Sequence, residues 1–400
     1  MEPARARYER FRRAIGGERL PLALVDLDAL EANVDAIAEK VRPHGKRLRI
    51  ATKSVRSPAL LRRILERLGP ALASGLMTYD AAETAFLADQ GFDDLLLAYP
   101  TAQPQDAELL ARAAARGVKL AIAVDDVRQL GVLSRAARAH GTTLSIVLDV
   151  DVSFRPLGER GVHLGVRRSP LRSVAQAKAL YRAIAGTEAL RVRGVMAYEA
   201  QIAGVSDDAL HKRALKALSR IDVAARRAEV VDALVGERAE LSIVNAGGTG
   251  SLGSSSEEPV VTEVTVGSGF LCSHLFDRYE GLPLTPAAYF ALLVTRAPAP
   301  GIVTCAGGGL VASGPAGRDR LPIAALPEGL SLLSLEGAGE VQTPLAVGRE
   351  ASIAIGDPIF FRHAKAGELA EHVPHYWLLR GDRVEGRAET YRGLGGCFLG

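Results

Sequence analysis

Short apolar runs alternate with longer helical stretches from about residue 20 to about residue 275, and no other feature narrows the fold as far. The runs occupy residues 22–27, 48–52, 71–76, 94–98, 119–124, 144–150, 191–197 and 241–245. Helical periodicity fills residues 27–41, 59–68, 79–90, 107–116 and 127–140 between them. Eight strand signals alternating with helices over about 250 residues predict a (β/α)8 TIM barrel rather than an open doubly wound sheet. The runs are apolar throughout, as strands covered on both faces should be. Beyond residue 276 Gly and Pro become frequent, leaving short extended runs at 291–295, 330–335, 358–361 and 376–379. The fold class expected is α/β: a barrel over residues 20–275, then a smaller β-rich domain over 276–400. Residues 1–19 carry Tyr8, Phe11 and Ile15 on one face of an amphipathic helix and are expected to join the second domain.

The 49 basic and 46 acidic residues leave a net charge of +3, which gives no electrostatic case for a nucleic-acid partner. Nothing approaches about 18 consecutive apolar residues, so no membrane span is expected. The start also lacks the apolar stretch of a secretory signal. Cys272, Cys305 and Cys397 are widely spaced and odd in number, which points to a reduced, cytoplasmic protein.

Lys53 ends the second run, in Ala51-Thr52-Lys53-Ser54, where a strand passes into a loop before a new helix. Barrel chemistry is built at strand C-termini. An amine held there and partly desolvated can lose its proton often enough to form a Schiff base with a carbonyl compound. A second signal is Asn245-Ala246-Gly247-Gly248-Thr249-Gly250-Ser251, a late strand running into a Gly/Thr/Ser turn. Glycines let backbone N–H groups converge on an anion, and barrels commonly bind phosphate after their late strands. Val266-Gly267-Ser268-Gly269 repeats the strand-to-turn pattern soon after. No Gly-Lys-Ser/Thr follows, so no nucleotide loop is implied. A lysine at one end and a phosphate turn at the other would grip a small phosphorylated aldehyde. Pyridoxal 5′-phosphate (PLP) has that shape.

These segments resemble the alanine-racemase type (fold type III) of PLP enzyme, in Pro21-Leu22-Ala23-Leu24-Val25-Asp26-Leu27-Asp28, Asn33 and Thr52-Lys53-Ser54. Tyr198-Glu199, after the strand at 193–197, is similar to a segment of its D-threonine aldolase and D-serine dehydratase branch (amino acid deaminase/aldolase). Residues 244–250 and 262–270 match that branch in order and spacing. The resemblance spans nearly the whole chain. It implies Lys53 as the PLP lysine, Gly247, Gly248, Thr249 and Gly250 as phosphate donors, and Gly267 and Ser268 beside them. It also implies Tyr198 facing the cofactor, and a homodimer in which the β domain of one subunit closes over the barrel mouth of the other.

Two departures from the family stand out. Its Gly-x-x-Arg-x-Gly-Val segment is replaced by Ser153-Phe154-Arg155-Pro156, an insertion, and then His163-Leu164-Gly165-Val166. Either His163 takes the arginine's place in cofactor binding or Arg155 substitutes from the loop. The aldolase and dehydratase branch also binds a divalent ion through a His-x-Cys or His-x-Asp pair in the β domain. Here His363 is followed by Lys365, and a protonated lysine has no lone pair to give. His363 is then either a metal ligand, with Glu368, His372 and His375 nearby in sequence, or part of a metal-free acid/base set with Lys365 and His372. Both readings put it at the barrel mouth.

The function implied is a PLP-dependent lyase cleaving or dehydrating a β-hydroxy D-amino acid, in the manner of D-threonine aldolase, with Lys53, Tyr198 and His363 catalytic. The alternatives are a D-serine dehydratase/deaminase, an amino-acid racemase and a non-catalytic PLP-binding protein. A racemase needs a tyrosine from the β domain, for which Tyr279, Tyr289, Tyr376 and Tyr391 are candidates. Non-catalytic carriers of this type usually lack a β domain.

Overall fold

The computed structural model describes residues 2–158, 161–365 and 367–399. Helix α1 (Ala4–Ala14) buries Tyr8 and Phe11, with Ile15 just beyond its end. The ring of Phe11 packs edge-on against Tyr289 at 5.1 Å and Phe360 at 5.4 Å, which seats the helix on the β-rich domain. Strand β1 (Leu22–Asp26) is buried along its whole length. Asp26 then caps helix α2 (Leu27–Val41), accepting from the Ala29 N–H, and also binds Arg10 at 2.7 Å.

The barrel is closed by eight parallel strands. They are β2 (Arg47–Ala51), β3 (Ala73–Thr78), β4 (Leu95–Leu97), β5 (Leu120–Val124), β6 (Leu144–Asp149), β7 (Leu190–Met196), β8 (Ile243–Ala246) and β9 (Glu263–Val266). The number of strands expected from the sequence is right, but one member differs. The run at 22–27 is not a barrel strand: β1 pairs antiparallel with β10 (Ala288–Ala299) and parallel with β16 (His375–Arg380) in the other sheet. Its place is taken by β9, which closes the ring between β8 and β2. A strand at the middle of a mixed sheet is covered on both faces just as a barrel strand is, so local hydrophobicity does not separate them.

The second sheet has nine strands in the order β13-β14-β11-β10-β1-β16-β17, with β15 pairing β10 and β12. The remaining members are β11 (Ile302–Ala306), β12 (Ile323–Leu326), β13 (Leu330–Leu332), β14 (Gln342–Val347), β15 (Pro358–Arg362) and β17 (Arg383–Glu389). Asn33, buried on α2, stitches the chain leaving the barrel to this sheet. Its amide donates to the carbonyls of Phe270 and Thr285, and its oxygen accepts from the Thr285 N–H at 2.7 Å. Inside the barrel, Arg49 is buried between Glu263 at 2.6 Å and Asp94 at 2.8 Å, so its charge is paired. Among the described residues, no helix is long and apolar enough to cross a membrane.

Candidate active site

The C-terminal ends of the barrel strands and loops of the β-rich domain enclose a cavity of about 690 Å³. A groove of similar volume, about 710 Å³, lies on the barrel flank between the helices Val174–Ala185 and Leu210–Gly236. Among its described lining residues there is no lysine and no glycine, whereas the cavity at the barrel mouth has both.

Lys53 sits in the short 3-10 turn Thr52–Ser54 at the end of β2, and its side chain lines the cavity. Its Nζ donates to the Tyr99 hydroxyl at 3.0 Å. The Arg168 guanidinium lies 5.4 Å from the Tyr99 ring centre and 5.6 Å from that of Tyr198. Burial works to raise the Tyr99 phenol, but Lys53 and Arg168 outweigh it and hold the group below its ordinary value. Asp149, at the end of β6, also faces the cavity. Burial lifts its carboxyl to about 7; Asp125 and Asp151 add to the rise and Arg168 opposes it. Tyr198 lines the cavity beyond β7, and burial, aided by Glu199, pushes its phenol up to about 12.

Gly247, Gly248 and Thr249 after β8, and Gly267 and Ser268 after β9, line the same cavity as Lys53. Gly247 has φ +92°, a conformation that suits glycine. A Cβ on Gly267 would fall 2.6 Å from the Ser54 hydroxyl, so only glycine lets this turn approach the Lys53 segment so closely. The Gly247 turn is tied down from behind by Glu199, which is buried and paired with Arg227 at 2.8 Å. Glu199 accepts from the Gly247 N–H at 3.3 Å, Ser251 Oγ at 2.5 Å and Ser255 Oγ at 2.6 Å. Thr249 Oγ1 accepts from the Gly269 N–H at 3.0 Å and joins the two turns. Gly250 does not line the cavity. A side chain there would strike the Ala203 carbonyl and the Tyr279 ring, each 2.5 Å away, so its smallness serves packing.

The β-rich domain of the same chain supplies the opposite wall, with Ser313, Arg320, Lys365 and Glu368 beside Phe276 and Tyr279. The Arg320 Nε is buried and has no hydrogen-bond partner among the described residues. Of the four tyrosines considered for a racemase, only Tyr279 lines the cavity.

Three sequence expectations meet a different geometry. His163 does not line the cavity, and its Nε2 lies 3.4 Å from the Val166 carbonyl. Arg155 turns to Asp151 at 2.7 Å and borders the flank groove instead. From this stretch it is Arg168 that reaches the cavity, a residue the sequence reading passed over. His363 is also absent from the cavity wall. Its ring is buried, neither nitrogen has a partner among the described residues, and burial with Arg362 and His274 lowers its pKa to about 3. Lys365, two residues on, faces the cavity in its stead. Tyr99, Asp149 and Glu199 were also overlooked. Tyr99 and Asp149 had a usable signal, since both fall at the C-terminal ends of barrel strands.

The sequence profile of the alanine racemase N-terminal domain matches residues 25–270. The chain belongs to that family. Its members include PLP-dependent aldolases, dehydratases and racemases. A 3-hydroxy-D-aspartate aldolase of Paracoccus denitrificans (strain Pd 1222) is 29% identical over 248 residues, which is 62% of this chain and 59% of that relative. The match thus spans somewhat over half the length of that curated relative. The solved structure of D-threonine aldolase from Filomicrobium marinum superimposes with a TM-score of 0.78 at 23% identity, covering 94% of this chain and 95% of the other. A D-threo-3-hydroxyaspartate dehydratase mutant, solved in a metal-free form, gives 0.73 at 21% identity over 94% and 98% of the two chains. These likenesses establish a shared fold: a parallel eight-stranded barrel with a mixed β-sheet domain.

The cavity suits PLP. It offers an amine, an apolar and aromatic lining, and glycine turns in the same wall. A divalent metal is a different matter. Among the described residues no three His, Cys, Asp or Glu side chains converge on a common point. The donor set does not fit.

Proposed function

We propose that the protein is a PLP-dependent lyase acting on a β-hydroxy D-amino acid, by aldol cleavage of the D-threonine aldolase kind. The observation that carries this reading is one cavity holding both the strand-end amine of Lys53 and the glycine turn at 247–249. Bound PLP supplies an electron sink for the pair released when a bond to Cα breaks. Lys53 would hold the cofactor through its amine, which Tyr99 positions by accepting a hydrogen bond from Nζ, with Arg168 over the Tyr99 ring. The Gly247 and Gly248 amides are engaged by Glu199 and Ser251, so the phosphate would be received by the amides at Thr249 and in the Gly267 turn. The Tyr198 ring, which lines the cavity, would pack against the cofactor. Arg320, whose side chain lines the cavity wall, binds the substrate carboxylate. Asp149 carries a proton to and from the substrate near neutral pH. In the cleavage itself, D-threonine yields acetaldehyde and glycine: the hydroxyl proton passes to Asp149 as the Cα–Cβ bond breaks, and a proton is returned to Cα.

The test is incubation of purified protein with D-threonine, 3-hydroxy-D-aspartate, D-serine and D-alanine, reading aldehyde, 2-oxo acid and chirality separately. Aldehyde from the first two is expected. In Lys53→Ala it should fall at least about a hundredfold. Borohydride reduction should fix the cofactor on Lys53. An adduct on another lysine, or a change of chirality alone, would defeat the reading.

The same proposal includes a homodimer. On the helix Leu210–Gly236, the side chains of Leu210, Ala214, Ala217, Leu218, Ile221 and Ala225 form one exposed apolar stripe at helical spacing. A second copy is the natural cover for it. Sedimentation at micromolar concentration should give a dimer, and Ile221→Lys a monomer.

A further inference from the structure

After β15 the chain carries His363 and Lys365, the spacing at which the resembled aldolases and dehydratases place a metal-binding pair. The fold sends the two side chains apart: the imidazole is buried in the β-rich domain and the lysine lines the cavity. Lys365 is held there by a small polar frame. Its Nζ donates to Ser313 Oγ at 2.7 Å and lies 3.4 Å from Glu368 Oε1. Ser313 in turn donates to both carboxylate oxygens of Glu368, from its N–H at 2.9 Å and its hydroxyl at 2.5 Å. An ammonium has three N–H donors; Ser313 takes one, and Glu368 lies close enough to pair with the charge.

The frame is fixed against the catalytic lysine as well. Gly367 packs so tightly on the backbone of Lys53 that a Cβ would fall 1.8 Å from the Lys53 carbonyl oxygen. Glu371, at the end of the turn Glu368–Glu371, pairs with Arg56 at 2.5 Å, and Arg56 donates to the same carbonyl at 3.0 Å. Lys365 therefore has a set position relative to Lys53.

We propose that the Lys365 ammonium takes the role a divalent ion would have here: it holds the β-oxygen of a β-hydroxy D-amino acid, and the protein needs no metal. The inference rests on the lyase reading above. An N–H donated to that oxygen strengthens as negative charge gathers on it during bond cleavage. The role asks for a fixed charge and a donor, and for no proton transfer by Lys365.

Elemental analysis of the purified holoenzyme is expected to find no stoichiometric divalent metal. Chelator, and added Mn²⁺ or Mg²⁺, should leave activity on D-threonine unchanged. Binding of D-threonine and of D-2-aminobutyrate, which lacks the hydroxyl, can be read from the cofactor absorption. Lys365→Met should keep its affinity for D-2-aminobutyrate and bind D-threonine roughly tenfold or more weakly. Lys365→Arg should recover part of the loss. A stoichiometric metal, activity lost to chelator and restored by a divalent ion, or an unchanged D-threonine preference in Lys365→Met would each overturn the proposal. The Lys53 adduct tests the cofactor reading separately, so a holoenzyme with the adduct and a bound metal would sink this proposal alone.

Discussion

Lys53, Tyr99 and Arg168 come from three different loops, and their charges act on one another at close range. The amine was legible in the sequence because it ends an apolar run. Arg168 was not, because it follows an irregular stretch after β6 in which no period fixes which side chain turns inward. A buried carboxylate close to this group gives a pH prediction. Burial lifts Glu83 to about 7, against the Thr52 hydroxyl, the Tyr79 N–H, the Tyr391 hydroxyl and the Arg56 charge, which favour the anion. The unfolded chain holds that carboxyl near its ordinary value of 4.5. Between these values the folded state binds more protons, so this contribution to stability is full below the lower value. It is lost as pH rises through about 7. The melting temperature should therefore fall between about pH 5 and about pH 7, by about 2 °C. Glu83→Gln should flatten that slope, and an unaltered slope would assign it to other groups.

At the scale of elements, the glycine turn after β8 was readable, but what holds it was not. Its anchor, Glu199, is adjacent to Tyr198 in sequence and reaches the turn only because β7 and β8 are neighbours in the barrel. Glu199 gathers the Gly247 N–H and the Ser251 and Ser255 hydroxyls onto one buried carboxylate. Arg227, from the helix Leu210–Gly236, balances that charge and also pairs with Glu258. Replacing Glu199 by Ala would leave Arg227 with one anionic partner and free the turn. The expected result is a loss of stability of about 3 kcal/mol, the scale for breaking a buried ion pair. PLP affinity should fall roughly tenfold or more, as the phosphate donors lose their alignment. Glu199→Gln keeps hydrogen-bonding capacity and should lie between the two. Calorimetry and PLP titration of the apoprotein measure both effects. Full cofactor affinity in Glu199→Ala would remove this residue from the site's support.

Over the whole molecule, the alternation of strand and helix identified the barrel, while the run at 22–27 was assigned to the wrong sheet. Membership in a sheet is settled by partners far along the chain: Leu24 opposite Tyr289 and beside Trp377, residues no local window contains. The same long reach joins the two parts of the protein around Lys53. Gly367 is the tightest point of that junction, at φ +88° with the Lys53 carbonyl where a Cβ would stand. Gly367→Ala combines an unfavourable left-handed conformation with a backbone clash, and either the segment or Lys53 must move. We expect a loss of about 3 kcal/mol, the upper end of ordinary single substitutions. Gly381→Ala is the control, because Gly381 is also left-handed (φ +54°) but has open space at the Cβ position. It should cost only about 1 kcal/mol. Hydrogen–deuterium exchange should show faster uptake across residues 363–372 in Gly367→Ala and little change in the control. PLP should bind more weakly in the first variant, since a shifted Lys53 no longer meets the glycine turn. Equal exchange and equal affinity in the two variants would show that the β-rich domain and the barrel mouth are not coupled through this contact.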